Sequence, residues 1–129
     1  MKIRVYYEDT DAGGIVYHSN YLKFCERARS EFFFAKNMLP IIDDTHFVVR
    51  KMNCDFIGSA KFADILDVTT TLTEIKRASF TVFQEIKKDN KVLFTSSVLL
   101  VLAKDGKVKR IDKKVEDILK SLFVKIDIN

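Results

Sequence analysis

Apolar residues recur along this chain with two different periods, and the switches between them mark its elements. Residues 2–8, Lys-Ile-Arg-Val-Tyr-Tyr-Glu, alternate and are β-branched or aromatic, which predicts a first strand. A turn rich in Asp and Gly follows, Asp9-Thr10-Asp11-Ala12-Gly13-Gly14. Ser19 and Asn20 then offer N-cap chemistry for a helix. From there Tyr21, Phe24, Cys25, Ala28, Phe32 and Ala35 fall at i, i+3, i+4, i+7, i+11 and i+14, one face of a helix of about five turns. Leu39-Pro40 ends it. Phe33 and Phe34 lie off that face, so burial on more than one side is expected.

Period two dominates afterwards. Strands are predicted over 46–56, over 65–75 and over 79–86. In the second of these, Leu66, Val68, Thr70 and Leu72 share one face and Thr69, Thr71 and Thr73 the other. Residues 88–91 read as a turn, and 92–103 are apolar on both faces, as in a central strand. Asp105-Gly106 is another turn signal. Val115, Ile118, Leu119 and Leu122 return to helical spacing in a short amphipathic helix over 112–123. One strand, one long helix, three or four long strands and a terminal helix make an α+β architecture with a helix on one sheet face. The threonine face and the strand edges then call for a second subunit.

Composition narrows the class. The 129 residues are 47% hydrophobic and 31% charged, with one Pro and four Gly, as expected of one folded domain over 1–129. The start, MKIRVYYEDTD, has no apolar core of a secretory leader, so a cytoplasmic setting is expected. The longest strongly apolar run, 98–103, falls far short of the roughly 18 residues that span a bilayer. Cys25 and Cys54 form no CxxC, and with His18 and His46 they match no zinc spacing, so buried reduced thiols and no metal are expected. The net charge of +4 suits an anionic partner, but no block of five like charges supplies a nucleic-acid arm.

The chemistry concentrates in Tyr6-Tyr7-Glu8-Asp9-Thr10-Asp11-Ala12-Gly13-Gly14-Ile15-Val16-Tyr17-His18-Ser19-Asn20-Tyr21. A strand end, a carboxylate-rich turn and a helix start fall here within a few residues. Gly13 and Gly14 let backbone approach a ligand closely. Free N–H groups at a helix start stabilise an oxyanion, and a carboxylate beside them serves acyl transfer as nucleophile or general base. On residue chemistry alone, such a segment is more often a plain turn and cap.

This segment, with Glu26-Arg27-Ala28-Arg29 after it, resembles the signature of the 4-hydroxybenzoyl-CoA thioesterase family, most closely its Tol-Pal-associated acyl-CoA thioesterases. Phe47-Val48-Val49-Arg50-Lys51-Met52 is similar to the family's second strand, so the resemblance covers nearly the whole chain. It implies a hotdog fold: a five-stranded antiparallel sheet wrapped around one long helix, here with a short C-terminal helix. It also implies homodimers or homotetramers and hydrolysis of acyl-CoA to free acid and CoA, with no cofactor beyond the CoA of the substrate. By position the family's catalytic Asp falls on Asp11, and its backbone oxyanion donor on His18. Tyr7 resembles a site-lining residue, and Lys76-Arg77 before Ser79-Phe80 the basic residues that hold CoA phosphates, with Ala78 where a third basic residue can stand. Acyl carrier protein is an alternative carrier. The rival function is a non-catalytic acyl-CoA or carrier-protein binding module, or a scaffold at the membrane.

Overall fold

The structure, a computed structural model, describes residues 1–123. Its strands are β1 (Lys2–Arg4), β2 (Ile41–Ile42), β3 (Thr45–Phe56), β4 (Ile65–Ile75), β5 (Phe80–Lys88), β6 (Lys91–Lys104) and β7 (Lys107–Lys109). All pairings are antiparallel, in the order β1-β4-β5-β6-β3-β2, with β7 folded back on β6. The sheet wraps the long helix α1 (His18–Phe34), and α2 (Lys113–Leu122) closes one end. This is the α+β hotdog architecture that the sequence led us to expect. The five expected strands are β1, β3, β4, β5 and β6; β2 and β7 are short additions.

One sheet face carries the core. Leu66 and Val68 of β4, Ile86 of β5 and Phe94 of β6 meet Tyr21, Phe24, Cys25 and Ala28 of α1. Farther along the sheet, Phe80, Val82, Val98 and Leu100 meet Val115 and Leu119 of α2. The helical spacing read from sequence selects these side chains, because residues three and four apart stack on one face. Phe33 is buried off that stripe as expected, but Phe34 is half exposed. The hairpins also follow sequence chemistry: Asp89-Asn90 and Asp105-Gly106 hold positive φ at both positions, the twist that suits a two-residue connection.

Two boundaries differ from expectation. The first strand stops at Arg4 rather than at residue 8. The Asp9 carboxylate accepts the Tyr6 N–H at 2.8 Å, which curls Tyr7–Asp9 into a 3-10 turn. The long helix begins at His18, and neither Ser19 nor Asn20 caps it. Asn20 instead donates its side-chain amide to the Asp9 carbonyl at 2.9 Å, the same carbonyl that accepts the Tyr17 N–H. Asn20 thus ties the helix to the preceding turn.

Candidate active site

The segment between the 3-10 turn and α1 is pinned to the sheet at its helix end. Val16 N–H donates to the Ala60 carbonyl, and Ile15 bridges to Lys61, so the chain returns to the sheet before the helix starts. Ahead of these anchors the backbone closes on itself. Asp11 N–H donates to the Ile15 carbonyl at 2.9 Å, and Gly14 N–H to the Asp11 carbonyl at 3.0 Å. Gly14 sits at φ +80, where a side chain would be strained. Gly13 N–H donates to the Asp11 carboxylate at 2.8 Å, and a Cβ on Gly13 would stand 3.2 Å from that oxygen. The Asp11 carboxylate is therefore oriented by backbone while its other oxygen is open, and the residue is exposed.

His18 is the first residue of α1. Its cap, Tyr17, offers no side-chain acceptor, and among the described residues the His18 N–H has no acceptor. A helix start in that state presents unpaired donors and the positive end of the helix dipole. The His18 ring lies against Tyr17 at 4.4 Å and edge-on to Phe56, at the end of β3, at 6.1 Å. Tyr7 is on the 3-10 turn, not in a strand; it is 80% exposed and meets Phe62 edge-on at 6.1 Å. One oriented carboxylate and one open helix start thus share a short, anchored loop. The chain matches the thioesterase superfamily over residues 13–95, from Gly13 of this loop through most of the sheet.

The chain belongs to the thioesterase superfamily.

Individual relatives agree with the assignment. The chain is 50% identical over 86 residues to the acyl-CoA thioesterase YbgC of Helicobacter pylori, a stretch covering 67% of this chain and 65% of that protein. It is 39% identical over 111 residues to the acyl-CoA thioesterase YbgC of Haemophilus influenzae, covering 83% and 82%. Among solved structures, a probable thioesterase from Bartonella henselae superposes with a TM-score of 0.81 at 32% identity, covering 87% of this chain and 97% of its own.

In this thioesterase-superfamily chain the loop carries Asp11, Gly13 and Gly14, with Tyr7 on the turn before it and His18 at the helix start after it; Lys76 and Arg77 lie elsewhere. Those two lie in the turn after β4, whereas the Asp11 loop bridges to Lys61, just ahead of β4. Eleven residues of strand, about 35 Å, separate the two ends. Within one chain the expected phosphate contacts and the expected carboxylate thus lie at opposite ends of β4.

Cys25 is buried, and burial pushes its thiol up to about 12, with Arg29 opposing and Cys54 adding to the rise. It is no nucleophile at neutral pH.

The sequence reading missed a polar group at the centre of the core. Gln84 is fully buried on β5; its amide donates to the Cys25 carbonyl and the Thr70 hydroxyl, and its oxygen accepts from Arg29, all at 2.9 Å. The signal was present, because Gln84 occupies the buried parity of Phe80, Val82 and Ile86. Burial lowers the pKa of Arg29 from its ordinary value, with Cys25 and Glu26 pushing the other way; a guanidinium stays charged regardless.

Proposed function

We propose that residues 1–129 form one acyl-CoA thioester hydrolase unit, releasing a free carboxylic acid and CoA. The observation that carries this reading is the Asp11 carboxylate, oriented by Gly13 N–H, on the loop that leads into the open start of α1. The names of the Helicobacter and Haemophilus relatives support it. In the proposed reaction the thioester carbonyl accepts a hydrogen bond from His18 N–H, so the charge developing on its oxygen meets a preorganised donor. Asp11 attacks the carbonyl carbon itself, or takes a proton from the water that does. Either way one water is consumed and the C–S bond breaks. CoA thiolate is a fair leaving group and takes up a proton from solvent.

The substrate site is completed by a second copy of the chain. Beyond its two-residue contact with β2, β3 has an open edge over 47–56 among the described residues, with Val48, Val49 and Phe56 exposed. Two such edges paired antiparallel place the start of one β3 beside the end of the other. In the register of the sheet, Val49 pairs with Leu100 and Leu100 with Phe80, so the 76–79 turn lies at the start end of β3. His18 lies at the finish end, against Phe56. Pairing therefore puts the Lys76-Arg77 turn of one subunit on the same side as the His18 of the other. The two are about three strand spacings apart, roughly 15 Å, and the pantetheine arm bridges that gap. Dimer and tetramer both contain this unit.

A panel of acyl-CoAs, followed by release of free thiol, tests the proposal. At least one class should be turned over. Tight acyl-CoA binding with no thiol release across the panel would replace the hydrolase by a binding module.

A further inference from the structure

We propose that the cavity between α1 and the start of β3 receives an acyl group that carries a carboxylate at its far end, paired there with the Arg29 guanidinium. The cavity holds about 310 Å³, within the range of small-molecule sites. Its walls include Phe33, Phe47, Val49, Phe80 and Leu100, so most of it suits an apolar stem. Its polar lining is Glu26, Arg29, Ser30 and His46, and of these Arg29 carries the fixed positive charge. It is half-buried, and among the described residues its one hydrogen-bond partner is Gln84, with no carboxylate within ion-pair distance. No side-chain nitrogen of the described residues is both sealed from solvent and unpartnered. The remaining N–H groups of Arg29 are therefore not sealed from solvent, and Arg29 is one of the residues that line this cavity.

A cation drawn partly out of water, with donors to spare, favours an anionic acceptor strongly over a methyl end. A planar guanidinium takes a carboxylate through two parallel hydrogen bonds. Glu26 stands at the rim, makes no ion pair with Arg29, and reduces the gain. The inference rests on the hydrolase reading above. In the paired-edge dimer the start of β3, and with it this cavity, faces the finish end of the partner's β3, where the reacting thioester sits.

The test compares octanoyl-CoA with its ω-carboxy counterpart, suberoyl-CoA, on the full chain and on Arg29→Met and Arg29→Lys. The wild type should show kcat/KM about tenfold higher for suberoyl-CoA, the yield of one partly screened charge contact. Arg29→Met should remove that preference, and Arg29→Lys, which keeps the charge but not the paired hydrogen bonds, should keep only part of it. Because the readout is a ratio of two substrates on one protein, loss of the Gln84 contact and any partial unfolding cancel. A wild type that favours octanoyl-CoA, or an Arg29→Met variant with an unchanged ratio, overturns the assignment while leaving the hydrolase intact. Thiol release from neither substrate, nor from the wider panel, overturns the hydrolase reading itself.

Discussion

Replacing Asp11 by Asn separates the charge of the candidate site from its shape. The residue is exposed, and the backbone bonds that close its turn, Asp11 N–H to Ile15 and Gly14 N–H to Asp11, do not involve the side chain. An amide oxygen can accept from Gly13 N–H as the carboxylate does at 2.8 Å. The change exchanges a charge-assisted bond for a neutral one at a solvent-exposed position, so the stability cost should stay below about 1 kcal/mol. The reaction has no such substitute. An amide is neither a nucleophile toward a thioester nor a base for water, and losing that role costs at least about a hundredfold, or roughly 2.7 kcal/mol of barrier. Asp11→Ala should lose as much rate and also release Gly13 N–H. The assay is kcat/KM by thiol release, with thermal unfolding of each variant measured alongside. An Asn variant within about threefold of wild type, equally stable, would place the chemistry on another residue.

Three further outcomes follow from the same geometry. Lys76→Ala with Arg77→Ala should raise KM for acyl-CoA about ten- to thirtyfold with kcat spared, and leave an acyl-pantetheine unaffected; equal loss on the truncated substrate would make the two residues structural. Light scattering should report a dimer or tetramer, and a mass near the 14.9 kDa of one chain at micromolar concentration would refute the shared site. Burial pushes the Asp64 carboxyl up, but its bond from Lys88 at 2.9 Å and the Lys61 N–H outweigh that and hold it below the ordinary value. A depressed folded-state pKa stabilises above the unfolded value and is lost as pH falls through the folded one. Asp64→Asn should therefore lower the melting temperature at neutral pH, by a margin that narrows below about pH 4; a margin constant into acid would refute the pairing.

The sequence by itself determined the elements and their inward faces. Period 3.6 picked out Tyr21, Phe24, Cys25 and Ala28, and period two picked out Leu66, Val68, Phe80 and Val82, because burial requires apolar residues on one face of each element. It also marked the Asp11 loop, since turn chemistry and helix starts are local. What it could not fix were contacts, some local and some distant, that hydrophobic periodicity does not encode. The first strand ends early because Asp9 takes the Tyr6 N–H, and the helix lacks its expected cap because Asn20 is engaged with Asp9. Gln84 became a core residue only when the sheet carried it under Cys25 and beside Arg29. Adjacency along the chain said nothing of Lys76 and Arg77 either. The eleven-residue β4 sets them at the far end of that strand from the Asp11 loop, and the proposed pairing of two β3 edges would bring two such ends together. Local periodicity is written residue by residue, whereas a site is assembled from strands whose order and register no single segment encodes.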